Sequence, residues 1–427
     1  VNSKVLSKEK LQPVRGTKDL YGHEIESFNH IVDIAKKISG LYGFNEISTP
    51  IFEFSEIYER NLGETSDIIS KEVYKFPDRG DNFLTLRPEF TAGIVRAFIF
   101  NGELSQNLPQ KLFSFGPIFR YDRPQKGRQR QFHQINFEAI GQNHFFNDVE
   151  MILLAAEILD ELGIIGKTEL NLNSLGSEQT KENYQLALQE YFAKYQNDLS
   201  EDSKKRLEKN PLRILDSKDS KDIEISKTIP SISKFYDAEA KQNFDGILQS
   251  LSDLGVKYKI NQSLVRGLDY YTSTVFEFIT SESATELGAQ NTVLAGGRYD
   301  NLIAKMGGQN LPAIGFAAGI ERLMLLANLE VKATRPVFVI YVSENEQQKA
   351  LELANKLRSS GFYAEIIFGA SMKKQMKKAT SANSEFVIII GEEEVKSGQY
   401  VIKNFDKGSE EKIATDKITQ FLISAQK

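Results

Sequence analysis

The chain has 427 residues, 41% of them hydrophobic, with 53 basic and 58 acidic side chains for a formal net charge of −5; that length asks for two to three domains. It contains no cysteine, which excludes disulfides, thiolate nucleophiles and cysteine-ligated zinc together, and its mild acidity argues against indiscriminate nucleic-acid binding, though not against a partner that meets local basic patches. No apolar run approaches membrane-spanning length and the polar N-terminus has no apolar signal core, so a cytoplasmic protein with no membrane segment is expected.

After an extended leader to about Thr17, Asp19 to Tyr42 has helical spacing, with Ile31, Ile34, Ala35, Ile38 and Leu41 on one stripe and Gly43 placed to stop it. Phe44 to Phe52 reads as a strand broken by Pro50, followed by a polar loop at 63–67 and two short strands flanking Pro77 to Asp81. Pro88 and Glu89 precede an apolar helix from about Thr91 to Phe100. Phe115 to Gly141 reads as a strand ending in Arg120, a basic loop (Arg123, Lys126, Arg128, Arg130) and a second strand. A helix from about Asp148 to Leu162 and a strand from Leu170 to Leu175 come next. From about 177 to 255 Lys, Glu, Gln, Ser and Asp dominate, and this stretch is expected to be a mostly helical insert. Strands resume around Lys257 to Ile260 and Tyr271 to Ile279, then a glycine-rich segment and the stretch Ala313 to Asn328. Beyond a linker at Lys332 to Pro336 the pattern resets to strand, helix, strand, helix, strand with unbroken apolar strands, which predicts a small parallel or mixed α/β domain.

The chemistry concentrates in a few segments. Gln134, Asn136 and Glu138 alternate along a strand otherwise rich in Phe and Ile, so all three face one way. Burying such a row is costly unless it lines a pocket. Arg120 beside it suits a phosphate, its planar fork being matched to that geometry; the plainer alternative is a salt bridge to Asp122 or Glu138. Glu89 and Thr91 open a helix, where an acidic first turn alone would explain them. Arg266, Asp269, Tyr270 and Tyr271 lead into a strand, and the tyrosines are either pocket walls or ordinary sheet packing. Gly296 and Gly297 would let backbone approach a ligand, and Arg322, on a helix beginning near Gly319, would reach the same phosphates as Arg120 unless it pairs with Glu321 or Asp300. The four histidines, His23, His30, His133 and His144, show no metal-ligand spacing, so no protein-held metal is expected. There is no phosphate loop or dinucleotide fingerprint; a nucleotide would be held on a sheet through arginines.

Taken in order, these segments resemble the class II aminoacyl-tRNA synthetases, and within them the histidyl-tRNA synthetase family. The resemblance lies in the helix and strand around Tyr42 to Glu53 with Pro50, the hairpin at Arg120, Gly315 to Leu323 ending at Arg322, and two further segments, Arg266 to Tyr271 and Ala295 to Tyr299. It spans nearly the whole chain. It implies an α+β fold: a catalytic domain over 1–330, built on an antiparallel sheet flanked by helices with the helical insert, and an anticodon-binding α/β domain over 334–427. It implies a homodimer formed partly through the first segment, with ATP and Mg2+, L-histidine and tRNA(His) as substrates and partners. In that family's pattern Glu89 and Thr91 hold the α-amino group and Gln134 orients the amino-acid backbone. Glu138 and Tyr271 bond the imidazole with Tyr270 beside them. Of the catalytic pair, Arg120 grips the α-phosphate and Arg266 sits against the α-phosphate and the substrate carboxylate, and Arg322 reaches ATP from the far side. Arg123 and Gln125 resemble residues that meet the tRNA acceptor end, and the C-terminal domain with its run Lys373, Lys374, Lys377 and Lys378 would read the anticodon; taken alone, such a run is more often a solvated helix face. Phe90 departs from the usual glycine. The competing readings are a catalytically inactive histidine-sensing regulatory paralogue, a class II synthetase for another amino acid, and a non-catalytic RNA-binding scaffold.

Overall fold

The computed structural model describes residues 11–59, 72–265, 268–281, 286–287, 291–329 and 335–425. Arg266, the polar loop at 63–67 and most of the expected linker lie outside these residues. The chain divides into two compact units, 1–331 and 332–427.

Among its described residues the first unit has eleven strands: β1 (Asn45–Glu46), β2 (Phe52–Phe54), β3 (Tyr74–Pro77), β4 (Phe83–Leu86), β5 (Gln110–Phe119), β6 (Gln131–Ile140), β7 (Thr168–Ser174), β8 (Lys259–Ile260), β9 (Thr274–Thr280), β10 (Thr292–Arg298) and β11 (Ala313–Gly319). Eight form the main sheet in the order β1-β5-β6-β11-β10-β9-β7-β8, and β2-β4-β3 make a small separate sheet. The main sheet is antiparallel except at its edges, where β1 runs parallel to β5 and β8 parallel to β7. The segment read as one strand broken by Pro50 is thus two strands in two sheets, as a residue without an N–H requires.

Gly296 and Gly297 of the glycine-rich stretch lie in strand β10. A Cβ on Gly296 would lie 2.3 Å from the Gly315 carbonyl oxygen, and one on Gly297 would lie 2.9 Å from the Tyr271 ring. Glycine is used at this point for close approach.

One face of the main sheet carries the larger core. Phe137 and Phe316 stack at 4.9 Å, and over them pack the helices His23–Leu41 and Phe145–Glu161 through Ile31, Ala35, Ile38, Ile152, Ala155 and Leu159. Arg298 ties the second helix to the sheet: its Nε donates to both carboxylate oxygens of the fully buried Asp148 at 2.9 Å. The other face carries a smaller cluster around the helix Thr91–Phe100. Helices Glu178–Ala193, Glu201–Lys209 and Ser220–Ser226 occupy the expected insert and share a third cluster with Leu188, Phe192, Leu212 and Ile214. The helix Ala238–Asp253, inside the stretch read as insert, instead gives Ile247 and Leu251 to the main core.

The second unit has β12 (Val337–Tyr341), β13 (Ala364–Glu365), β14 (Phe386–Ile390), β15 (Gln399–Asn404) and β16 (Ser409–Ala414) in the order β13-β12-β14-β15-β16. The first three are parallel and the last two antiparallel, so the sheet is mixed. β12 and β14 are buried throughout, with hydrophobic clusters on both faces.

Candidate active site

β6 turns its alternate residues toward the smaller-cluster face, and there Gln134, Asn136 and Glu138 line a cavity of about 670 Å3. The neighbouring strand makes the room: Gly315, Ala317 and Gly319 of β11 stand opposite Glu138, Asn136 and Gln134. A Cβ on Gly315 would come within 1.7 Å of Glu138 Oε2. A row of small residues beside a row of polar ones is a trough whose floor the fold leaves open.

Glu138 lies at the bottom, 1% exposed. Its Oε1 accepts from Thr91 Oγ1 at 2.6 Å and from Asn136 Nδ2 at 3.1 Å, and its Oε2 accepts from the Tyr299 hydroxyl at 2.6 Å. Burial pushes its carboxyl up to about 7, and Glu89 nearby adds to the rise, while the three donors hold it back. Tyr299 was not singled out as a site residue by sequence; its segment had drawn notice, and only the fold brings the end of β10 over β6.

Glu89 is the second buried carboxylate. Its Oε1 accepts from the Ala92 N–H at 2.9 Å, so it serves the helix N-terminus from just before the first turn, which itself holds no acidic residue. Its Oε2 is buried with no hydrogen-bond partner among the described residues, and the residue lines the cavity. Burial raises its pKa, opposed by the Ala92 N–H, by Thr91 and, least, by the charge of Arg120. Thr91 is the first residue of the helix and reaches Glu138 as described. Phe90, just before it, is 1% exposed with its ring in the smaller cluster and the Arg87 guanidinium 4.3 Å above it. It borders the cavity but spends its bulk on packing.

Tyr270 and Tyr271 line the cavity with ring centroids 4.7 Å apart, and Tyr270 meets Tyr299 edge-on at 5.7 Å. Burial drives the Tyr270 and Tyr299 hydroxyls well above their ordinary range, so both stay protonated donors.

Arg120 follows β5 directly and lines the cavity, donating Nε to the Pro88 carbonyl at 2.9 Å. Neither alternative partner holds it: Asp122 pairs with Arg128, and Glu138 is taken up by Thr91, Asn136 and Tyr299. Burial lowers its pKa, opposed by the carboxylates of Glu72 and Glu89. Arg322 stands on the helix Ile320–Ala327, donating Nε to Gly127 O at 3.0 Å and Nη1 to Thr292 O at 2.8 Å. It braces the basic loop against β10 and lines the cavity. Glu321 accepts from the His133 N–H, and Asp300 pairs with Arg298, so the simple helix-face pairings fail here too.

The basic loop is more committed than its composition suggests. Arg128 pairs with Asp122 and Glu72, and Arg130 stacks 4.0 Å over Tyr121. Arg123, Gln125 and Lys126 are exposed; Gln125 borders the cavity and Arg123 does not. Among the described residues no group of three or more His, Asp or Glu side chains could hold a metal ion, and no helix is long and apolar enough to cross a membrane.

The cavity thus combines two buried carboxylates, several hydroxyls and arginines, groups able to meet a hydrogen-bond-donating or cationic group and an anionic one. Known proteins match nearly all of the chain. Residues 16–323 match the family model for histidyl-tRNA synthetase, and residues 336–425 match that for an anticodon binding domain. A histidine–tRNA ligase of Wolbachia pipientis subsp. Culex pipiens is 52% identical over 409 residues, covering 96% of this chain and 99% of the relative. One from Rickettsia bellii is 48% identical over 403 residues, covering 94% and 96%. The crystal structure of apo histidyl-tRNA synthetase from S. aureus superposes with a TM-score of 0.81 at 31% identity, covering 96% of this chain and 99% of that one.

Proposed function

The chain belongs to the histidyl-tRNA synthetase family and acts as a histidine–tRNA ligase, and from that premise we propose how its own residues divide the work. The histidine ammonium sits against Glu89 and Thr91, with Gln134 orienting the amino-acid backbone. The imidazole sits between Glu138 and Tyr271 with Tyr270 alongside. Arg120 grips the α-phosphate of ATP, Arg322 approaches from the far side, and Arg266 lies against the α-phosphate and the substrate carboxylate. Mg2+ enters on the phosphates as part of the nucleotide substrate.

The observation that carries this reading is Glu89: a buried carboxylate with one oxygen satisfied by a helix N-terminus and the other without a partner among the described residues. An unpaired buried acceptor costs about 1–3 kcal/mol, more if charged, and an ammonium group removes that cost. In the first step a carboxylate oxygen of histidine attacks the α-phosphorus, the bond to the pyrophosphate oxygen breaks, and histidyl-adenylate remains. Positioned guanidinium groups stabilise the charge that gathers at phosphorus, where this chemistry needs fixed positive charge more than an acid or base. In the second step a hydroxyl of the terminal ribose of tRNA(His) attacks the acyl carbon and AMP leaves. A pocket that pairs both imidazole nitrogens also rejects amino acids that leave its buried groups unpaired.

Arg123 and Gln125 meet the acceptor end of the tRNA. In the second unit the exposed Lys373, Lys374, Lys377 and Lys378 of helix Met372–Ser381 supply the charge for its anticodon end. The protein works in the cytoplasm as a homodimer. The small sheet supports this: Phe52, Phe54 and Phe76 share one face with Leu84 and Leu86 and are 49%, 55% and 38% exposed. Burying the remaining exposed half of such rings against a second copy stabilises by about 1 kcal/mol each.

Arg266→Ala tests the catalytic assignment. It is expected to cut histidine-dependent ATP–pyrophosphate exchange by several orders of magnitude (on the order of 10³) with the fold intact by circular dichroism. Near-normal exchange removes Arg266 from the mechanism.

A further inference from the structure

The segment that carries Tyr270 and Tyr271 has no strand ladder of its own. Between β8 and β9 the described residues 261–265 and 268–273 are turns and irregular backbone. Catalytic geometry still demands that the two rings stay put, since a displacement of about 1 Å costs on the order of 100-fold in rate.

The main sheet holds its far end, where the Thr272 N–H donates to the Arg298 carbonyl at 2.8 Å and the Ser273 carbonyl accepts from the Leu175 N–H at 2.7 Å; the helical insert adds restraint at Asp269 and Tyr271. Arg213, in the 3-10 turn Pro211–Asp216, donates Nε to Asp269 Oδ1 at 3.0 Å, and Asn210 donates Nδ2 to the same oxygen at 3.3 Å. Lys181, from helix Glu178–Ala193, donates Nζ to the Tyr271 carbonyl at 3.2 Å. Arg213 is 7% exposed, flanked by the buried Leu212 and Ile214, and its own carbonyl accepts from Arg206 Nη1 at 3.1 Å. The anchor is therefore part of the insert's packed core. Tyr271 itself packs against both the site-facing cluster and the insert's cluster. An exposed ion pair would restrain little, whereas this one is largely withdrawn from water at both ends. Removing one partner there leaves a poorly solvated charge that must move to find another.

We propose that Arg213, acting through Asp269, is a positioning residue for the substrate-binding tyrosines, so that the helical insert sets the geometry of the histidine pocket from outside it. The proposal rests on the reading that Tyr270 and Tyr271 border the imidazole. Lys181 acts alongside at the next restrained residue, and the two contacts together hold the segment at Asp269 and Tyr271.

The test compares the full-length protein with Arg213→Met, Asp269→Asn and Tyr271→Phe in histidine-dependent ATP–pyrophosphate exchange, with rates expressed per active site from the burst of adenylate formation. Arg213→Met is expected to raise KM for histidine and lower kcat by a combined 10- to 100-fold (on the order of the misplacement cost) while KM for ATP stays within about twofold. A residue that only stabilises the insert would reduce the number of active sites and the melting temperature and leave KM per active site alone; that result overturns the proposal. Should Arg213→Met fail to fold, Asp269→Asn keeps the shape and weakens the same link, with the same split expected and unchanged histidine KM overturning the idea. Tyr271→Phe separates the two levels. If it raises the histidine KM and the Arg213 and Asp269 variants do not, positioning alone fails. If those variants raise it and Tyr271→Phe does not, positioning stands and the imidazole contact of Tyr271 falls. If none does, both fall.

Discussion

Replacing Glu138 by glutamine removes one charge with little change of shape, and the structure gives two separable consequences. The first is on stability. Burial raises the Glu138 carboxyl from 4.5 to about 7, so between those values the native state holds a proton that the unfolded chain has released. Stability therefore falls as pH rises through that window. A rise of that size corresponds to about 3 kcal/mol, of which about 2–3 kcal/mol is lost between about pH 5 and about pH 8. Glutamine cannot titrate. The stability of the natural protein relative to Glu138→Gln is accordingly expected to drop by about 2–3 kcal/mol over that range. Urea unfolding followed by far-ultraviolet circular dichroism reads this, a choice suited to a chain without tryptophan. The second consequence is on binding. A glutamine offers one acceptor where Thr91, Asn136 and Tyr299 already converge on two, so on the proposed placement the substrate imidazole loses its partner. The histidine KM is expected to rise on the order of 10- to 100-fold, with the ATP KM little changed. Stability curves of the two proteins that run parallel with pH, or equal losses for histidine and ATP, would refute the reasoning.

Gly315→Ala places a methyl within 1.7 Å of Glu138 Oε2 and 2.6 Å of the Phe137 carbonyl oxygen; β6 and β11 must part, with a cost above the usual ~1–3 kcal/mol of overpacking and loss of histidine binding by calorimetry, and a variant that binds normally contradicts the trough geometry. Arg298→Met strands the fully buried Asp148 and is expected to cost about 3–5 kcal/mol in urea unfolding. Adding Asp148→Leu should recover most of that, and a single variant that costs under about 1 kcal/mol removes the pair from the account of how helix Phe145–Glu161 is held.

The half of the site that was legible in sequence is the half written in local periodicity. Gln134, Asn136 and Glu138 alternate within one strand, and a polar row among Phe and Ile can be read without knowing what it faces. Arg120 at a strand end and the acidic start of helix Thr91–Phe100 are equally local. What sequence could not give is closure between distant strands. The bond to Glu138 on β6 from Tyr299, just after β10, reaches across β11, and the close approach at Gly296 and Gly297 is to neighbouring backbone, the Gly315 and Thr274 carbonyls. The basic loop misled in a different way: its charge count was right, but Arg128 and Arg130 are engaged by Asp122, Glu72 and Tyr121, so fewer cations remain for an outside partner. In the second unit β16 went unread, because Ser409–Ala414 is a largely exposed charged edge strand with no apolar alternation to announce it; β15, mostly buried, went unread as well. The fold order of the insert was legible by composition, whereas the attachment of helix Ala238–Asp253 to the main core depends on Ile247 and Leu251 meeting helix Phe145–Glu161.

The central claim is that this pocket selects an amino acid by pairing an ammonium with Glu89 and an imidazole with Glu138. Amino-acid-dependent ATP–pyrophosphate exchange, run on the full chain with each of the standard amino acids in turn and followed by charging of total tRNA, tests it most directly. Histidine alone is expected to support both reactions. Exchange driven by another amino acid, or silence with all of them, would contradict it.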